Sequence, residues 1–394
     1  MSKIVHVMFA CFYKNGFGYQ ENILPAKHKQ LGYEVEIITY NKGGDASYEK
    51  EPAPCTYLNQ DGIKVHVLAT NGSILRAIPL VNLFINVTKG TYEKLEQLNP
   101  DIVFIHGINC QDNMEVVRYV KKKHNVKLYV DNHSDFYNAP LNSIKNKIIR
   151  YVSGGIKGYR LGKYAEKVWG VSPWRVVYQE KVYSVPHDKC GLLVMGGDEQ
   201  KIDWNNKKSI RIDVRSKLRI PEDAFVLISG GKIDKAKNIH KLVDAITDIN
   251  RNNIHLILFG RYEKDMLDMS DKLNSTPNVH FIGWVSADDA YNYFLASDLA
   301  VFPGTHSVLW EQSCACGLPG IYKDWEGGFN HVDLKGNCIL LSKDTVLGIK
   351  EALLSLIDDK DRYDKMREHA SIECRKEFSY IEIAKKSINH QQQY

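Results

Sequence analysis

Three stretches of the chain combine residue types at spacings that could do chemistry. The first is Gly16-Phe17-Gly18. Two glycines let a backbone approach a ligand, and a helix beginning just beyond supplies free N–H groups for a phosphate. Glu21 stands where a third glycine would complete a dinucleotide fingerprint, so an ordinary tight turn is the equal alternative. The second spans 230–238, where Gly230 and Gly231 are followed by Lys232, Lys235 and Lys237 ahead of a helix starting near Asn238. Glycines and cations before a helix N-terminus form a good seat for a diphosphate. The spacing is not that of a Walker loop, and a solvated lysine-rich loop is the plain alternative. The third runs from Pro303 through Gly304, Thr305, His306, Ser307 and Val308 into a short helix ending at Gly317. Amides at 306–308 would point at an anion, with Glu311 about one turn inside. That carboxylate either offsets the helix dipole or accepts two hydroxyls of a sugar.

The elements that must hold these stretches follow from periodicity. Short β-rich runs at 3–11, 33–40, 64–68, 101–106, 127–131 and 167–171 alternate with helix-length amphipathic segments. The rhythm restarts with runs at 225–229, 255–259, 279–282, 299–302 and 320–322, after a polar stretch at 196–222 that reads as a linker. Near-continuous apolar strands alternating with helices imply buried parallel sheets. The expected fold is therefore α/β: two Rossmann-like, doubly wound domains facing each other across a cleft. Ligands then belong beyond the carboxyl ends of the strands.

With 394 residues, 44% hydrophobic and 25% charged, the chain has the composition of a globular protein large enough for two cores. A net charge of +5 suits contact with phosphates or anionic lipid and falls short of a nucleic-acid signature. The most apolar stretch, 74–87, is broken by Arg76, Pro79, Asn82 and Asn86, too polar to span a bilayer. A first strand starting at residue 3 or 4 leaves no room for a signal peptide, so a cytoplasmic location is expected. The eight cysteines, without C-x-x-C spacing, read as reduced thiols.

Taken together and in order, these segments resemble the retaining GT-B glycosyltransferases of family four, the glycosyl transferases group 1. Gly16 and Gly18 match that family's first glycine loop, and His133 in VDNHSDF its cleft histidine, with His106 in FIHG second. Val171-Ser172-Pro173 and Met195-Gly196-Gly197-Asp198 match two further elements. GKIDKAKN at 231–238 matches its basic segment, so Gly231, Lys232 and Lys237 would hold the donor diphosphate. FIGWVSADDAYNYFLASDLAVFP and CACGLP match the stretches flanking the donor loop. Phe378-Ser379-Tyr380 marks the point where a last helix would cross back onto the first domain. One departure stands out. The family's paired glutamates have seven residues between them in its donor loop. Here Glu311 serves as the second, a ribose contact, but Pro303 stands at the place of the first and the loop is shortened.

The resemblance implies an acceptor-binding domain at 1–195, a donor-binding domain at 196–378 and a returning segment at 379–394. It implies retaining transfer of a hexose or N-acetylhexosamine from a nucleotide diphosphate sugar, most often a UDP-sugar, to a glycan or lipid-linked acceptor. His133, Lys232 and Lys237 would be catalytic, while His306, Ser307, Val308 and Glu311 would bind the donor. No cofactor or metal is implied, although Asp131, His133 and Asp135 alternate in a pattern that could face one ion. A sugar-nucleotide epimerase of the same architecture is the competing expectation. Finally, 142–167 carries seven basic residues against one acid, with Ile144, Ile148, Val152 and Ile156 at four-residue spacing. Such a helix can lie on anionic lipid; the alternative is a solvated face interrupted at Gly154-Gly155.

Overall fold

The computed structural model describes residues 1–10, 13–15, 18–40, 54–78 and 81–389. Two compact units emerge, Met1–Val194 with Ile383–Tyr394, and Met195–Glu382. Each is built on a parallel sheet, as the alternation of apolar runs and amphipathic segments implied.

The first unit contains β1 (Lys3–Met8), β2 (Glu34–Tyr40), β3 (Cys55–Leu58), β4 (Lys64–Leu68), β5 (Ile102–His106), β6 (Lys127–Asn132), β7 (Lys167–Gly170) and β8 (Cys190–Leu192). Their order in the sheet is β3-β4-β2-β1-β5-β6-β7-β8, all parallel except the antiparallel edge pair β3–β4. The second contains β9 (Phe225–Ile233), β10 (Ile254–Tyr262), β11 (Val279–Phe281), β12 (Leu299–Phe302), β13 (Gly320–Lys323) and β14 (Cys338–Leu341), ordered β11-β10-β9-β12-β13-β14. Strand order reverses beside β1 and beside β9, the doubly wound pattern whose switch point opens a crevice at the strand ends. Val5, Val7, Val103 and Ile105 fill one core; Leu227, Leu256, Leu258 and Val301 fill the other.

Three features differ from the sequence reading. The expected linker holds a helix, Lys207–Lys217, because Arg215 turns inward and donates to the carbonyls of Ala296 and Ala224 and to Asp298. β9 and β10 run past their apolar cores, carrying Gly230, Gly231 and Lys232 on the end of a strand rather than in a loop. Glycines make this possible: Gly231 and Gly260 have φ of +102° and +127°, and a Cβ on Gly260 would lie 1.8 Å from the Gly231 carbonyl oxygen. Lastly, the basic segment passes through Gly154-Gly155 unbroken as Ile144–Lys147, a π-turn at Ile148–Gly154 and Gly155–Tyr164. The backbone there presses on its neighbour, since a Cβ on Gly158 would sit 2.1 Å from the Tyr183 carbonyl oxygen.

From Ile383 onward the chain packs in the first unit, where Trp169 Nε1 donates to the Ser387 carbonyl and the Tyr129 hydroxyl to that of Ile388. No helix among the described residues is long and apolar enough to cross a membrane. No disulfide joins any two described cysteines, and Cys11 lies outside the described residues.

Candidate active site

In the second unit, the sequence brings two strand-to-helix connections together at the switch point. After β9, Asp234 caps the turn Lys235–Lys237 by accepting from the Lys237 amide. Asn238 then adopts a left-handed φ of 55° and begins the helix Ile239–Ile249, its side-chain amide donating to the Pro303 carbonyl. After β12, the stretch 303–308 lies directly on that turn. The Thr305 amide donates to the Ala236 carbonyl, and a Cβ on Gly304 would approach that carbonyl oxygen to 2.3 Å.

Lys237 locks the two connections. Its Nζ donates to the carbonyls of Thr305 at 2.7 Å and His306 at 3.1 Å, and the residue is only 9% exposed. Burial lowers its pKa to about 8. Lys232 differs: its side chain is 64% exposed, 3.7 Å from Glu263, at the mouth of a 610 Å³ cavity also lined by Asp234, Arg261, Tyr262 and Asp265. Ser307 and Val308 precede the helix Leu309–Ala315, where backbone N–H groups have no carbonyl of their own helix to bond. The Ser307 hydroxyl is buried with no hydrogen-bond partner.

Glu311 sits otherwise than the ribose reading expects. It is 0% exposed, and its Oε1 accepts from His306 Nε2 at 2.7 Å and His331 Nε2 at 2.8 Å. Burial alone would raise this carboxyl, but the two imidazoles overcome it and hold the group well below the usual carboxylate range. His306 folds back over the carboxylate and stacks on Phe329, with ring centroids 4.3 Å apart. The 303–308 stretch is thus closed from within by its own histidine. The ligating atoms of His306, Glu311 and His331 lie within 4.8 Å of one another, close enough for a metal. Both imidazoles meet a single oxygen at hydrogen-bonding distance, however, which is the geometry of two N–H donors and fits a metal poorly.

In the first unit, His133 stands just beyond β6, 22% exposed, its Nε2 3.4 Å from Asp131 Oδ1. Burial would lower its pKa, yet Asp131 raises it. Asp131 is fully buried and accepts from His106 Nδ1 at 2.7 Å and the Gly107 amide at 2.9 Å. His106 therefore lies behind Asp131, enclosed. Asp135 is occupied by Arg175 and the amides of Tyr137 and Asn138, so the D-x-H-x-D alternation does not gather around one ion. Gly18 is half-buried ahead of the helix Gln20–Gln30; Gly16 lies outside the described residues.

Residues 210–372 match the family model described as "Glycosyl transferases group 1". The chain carries a group 1 glycosyltransferase domain. The chain is 24% identical over 168 residues to the lipopolysaccharide core biosynthesis glycosyltransferase LpsD of Rhizobium meliloti, covering 42% of this chain and 48% of the relative. The chain spans about half the length of the curated relatives it matches first. Among solved structures, Anabaena HepE in complex with UDP superposes with a TM-score of 0.69 at 15% identity, covering 99% of both chains. The UDP-GlcNAc 2-epimerase of Neisseria meningitidis, bound to UDP-GlcNAc, gives 0.57 at 12% identity, again over 99% of both. These likenesses make the fold of the chain GT-B.

Sequence reasoning missed His331, Phe329, His6 and His28. Two of the histidines carried a faint signal: His6 interrupts an apolar strand, and His331 follows a Gly-Gly turn in GGFNH.

Proposed function

We propose that the protein transfers a hexose or N-acetylhexosamine, with retention at the anomeric carbon, from a UDP-sugar to a glycan or lipid-linked acceptor. One observation carries this reading: Lys237 pins the 303–308 stretch onto the 234–238 turn at the switch point of the second sheet. An ammonium has three donors; the two carbonyls take two, leaving one for a diphosphate oxygen. Lys232 and Arg261 line the cavity alongside. Stabilising the charge that builds on the departing diphosphate is what such preorganised donors do best. In this division of labour the first unit binds the acceptor and contributes His133, while Glu311 shapes the donor stretch through His306. The names of the relatives, a lipopolysaccharide core enzyme among them, support an acceptor on a cell-surface polymer.

Incubation with radiolabelled UDP-sugars and a panel of glycan and glycolipid acceptors tests it. Acceptor-linked label with retained anomeric configuration is expected; an isomerised free nucleotide sugar would instead establish epimerisation, and unchanged donors would reject both.

A membrane surface fits the acceptor side. Ile144, Ile148, Tyr151, Val152, Ile156 and Tyr159 are exposed, with Lys145, Lys147, Arg160 and Lys163 exposed among them. Lys157 is not part of this face, as its Nζ turns inward to the Leu83 carbonyl and Ser153 hydroxyl. Exposed apolar side chains interleaved with cations suit an anionic bilayer. Cosedimentation with phosphatidylglycerol vesicles at low salt is expected, and Ile144→Ser with Tyr151→Ser should reduce it severalfold. Equal recovery with neutral vesicles, or none with either, would reject the membrane reading.

A further inference from the structure

Beyond the end of β4 the chain makes an apolar excursion before it returns to the first unit's core. Its neck is tied from both sides. The Asn71 amide donates to the Val87 carbonyl and the Lys89 amide to that of Ala69, around a bridge between Thr70 and Thr88. Asp112, fully buried, accepts from the Val87 amide at 2.6 Å, the Thr88 amide at 2.8 Å and the Thr88 hydroxyl. A charged acceptor with three donors fixes the neck firmly. The apolar side chains beyond it are nevertheless left open: Ile74 is 88% exposed, Leu75 53%, Ile78 44%, Val81 41% and Phe84 49%. Residues 70–88 hold one cation, Arg76, and no acid. Large apolar side chains gathered on one excursion mark an interaction site, whereas single ones scattered over a surface do not.

We propose that Ile74, Leu75, Ile78, Val81 and Phe84 form an anchor that inserts below the headgroups of an anionic bilayer. The anchor rests on the membrane reading above and goes beyond it, from adsorption through the basic segment to penetration by a second one. Charge complementarity selects the partner. The excursion and the basic segment 144–164 are joined, because Lys157 Nζ donates to the Leu83 carbonyl at 2.8 Å and lies 5.7 Å from the Phe84 ring centroid. That basic segment carries Lys145, Lys147, Arg150, Arg160 and Lys163, and no acid stands between Asp135 and Glu166. Cations of this kind reach lipid phosphates, while the apolar side chains beside them enter the acyl region. Topology adds a consequence for the substrate. Strands β4, β2, β1, β5 and β6 are parallel neighbours, so the excursion after β4 leaves the same edge of the sheet as His133 after β6. A bilayer held at that edge presents its own lipids to the acceptor side of the unit. Of the two acceptor classes proposed above, the anchor therefore selects the lipid-linked one.

Fluorescence of the full chain carrying Phe84→Trp tests the anchor without reference to activity. With phosphatidylglycerol vesicles, the emission that this substitution adds to the wild-type signal should shift to the blue and be quenched by lipids brominated on their acyl chains. Protein that cosediments with the vesicles but whose added emission is unquenched would overturn the anchor and leave adsorption through the basic segment standing. No cosedimentation at all would overturn both. A second measurement uses Ile74→Ser, Leu75→Ser and Phe84→Ser together, all at exposed positions, so the melting temperature should stay at the wild-type value. Affinity for the same vesicles should fall at least about tenfold, because three large side chains no longer leave water for an apolar phase. Undiminished affinity would overturn the anchor. Sedimentation equilibrium without lipid decides the other occupant: a monomer is expected, and a dimer that the serine variant dissolves would assign the excursion to a second copy of the chain and overturn the bilayer.

Discussion

Replacing Lys237 with alanine is expected to lower turnover by about 10²–10³, the usual cost of deleting one preorganised donor to a developing anion. The structure adds a second consequence that the sequence did not carry. Two backbone carbonyls, those of Thr305 and His306, lose a charged donor with it. Hydrogen bonds to charged groups contribute about 1.5–3 kcal/mol each, so the 303–308 stretch should loosen as well. Donor binding then reports the damage: saturating UDP should raise the melting temperature of the wild type and raise it less in the variant. The pH dependence has a definite sign. With its pKa lowered to about 8 by burial, Lys237 loses its charge above that value in the free protein. The kcat/KM profile, which reports the free enzyme, should fall above about pH 8. Stability moves the other way, because the unfolded lysine, titrating near 10.4, binds more protons between about pH 8 and 10 and stability rises through that window. Wild-type turnover in Lys237→Ala would remove this residue from the chemistry.

The second large effect is at Glu311. Its alanine variant leaves the Nε2–H groups of His306 and His331 without their shared acceptor in a buried site. Each orphaned donor costs about 1–3 kcal/mol, or about 2–6 kcal/mol together. Chemical denaturation should show this loss in the second unit. Glu311→Gln separates acceptor from charge. One carboxylate oxygen serves both histidines while Oε2 has no partner, so the amide can keep its oxygen in place and put its nitrogen where Oε2 was. Most of the stability should return in Gln if accepting two N–H bonds is the role, and little should return if the negative charge is. An alanine variant as stable as the wild type would mean that the two histidines find other partners and that Glu311 does not organise the 303–308 stretch.

Which of these residues could be read from the sequence follows from how local their cause is. Lys232 and Lys237 look equivalent in GKIDKAKN, yet one is exposed at a cavity and the other buried as a bracket. Strand β9 runs on to Ile233, so Lys232 projects from its end, while the capped turn swings Lys237 onto a loop 68 residues away. Glu311 stands out in the sequence as a candidate carboxylate because it lies one turn into a helix after a strand. Its partner His331 is 20 residues further on and meets it only when β13 is laid beside β12.

By itself the sequence determined what depends on near neighbours: two α/β units, their strand and helix rhythm, glycines where backbones touch, and the group 1 resemblance. Period and composition act over a few residues, so they survive being read along a line. Tertiary structure decided which polar groups share a proton or a charge. His6, His28, His106 and Asp131 are spread over 126 positions and become one hydrogen-bonded file only because β1, β5 and β6 are adjacent in the sheet. Hydrogen bonds reach about 3 Å, and no spacing in the chain encodes that distance between strands.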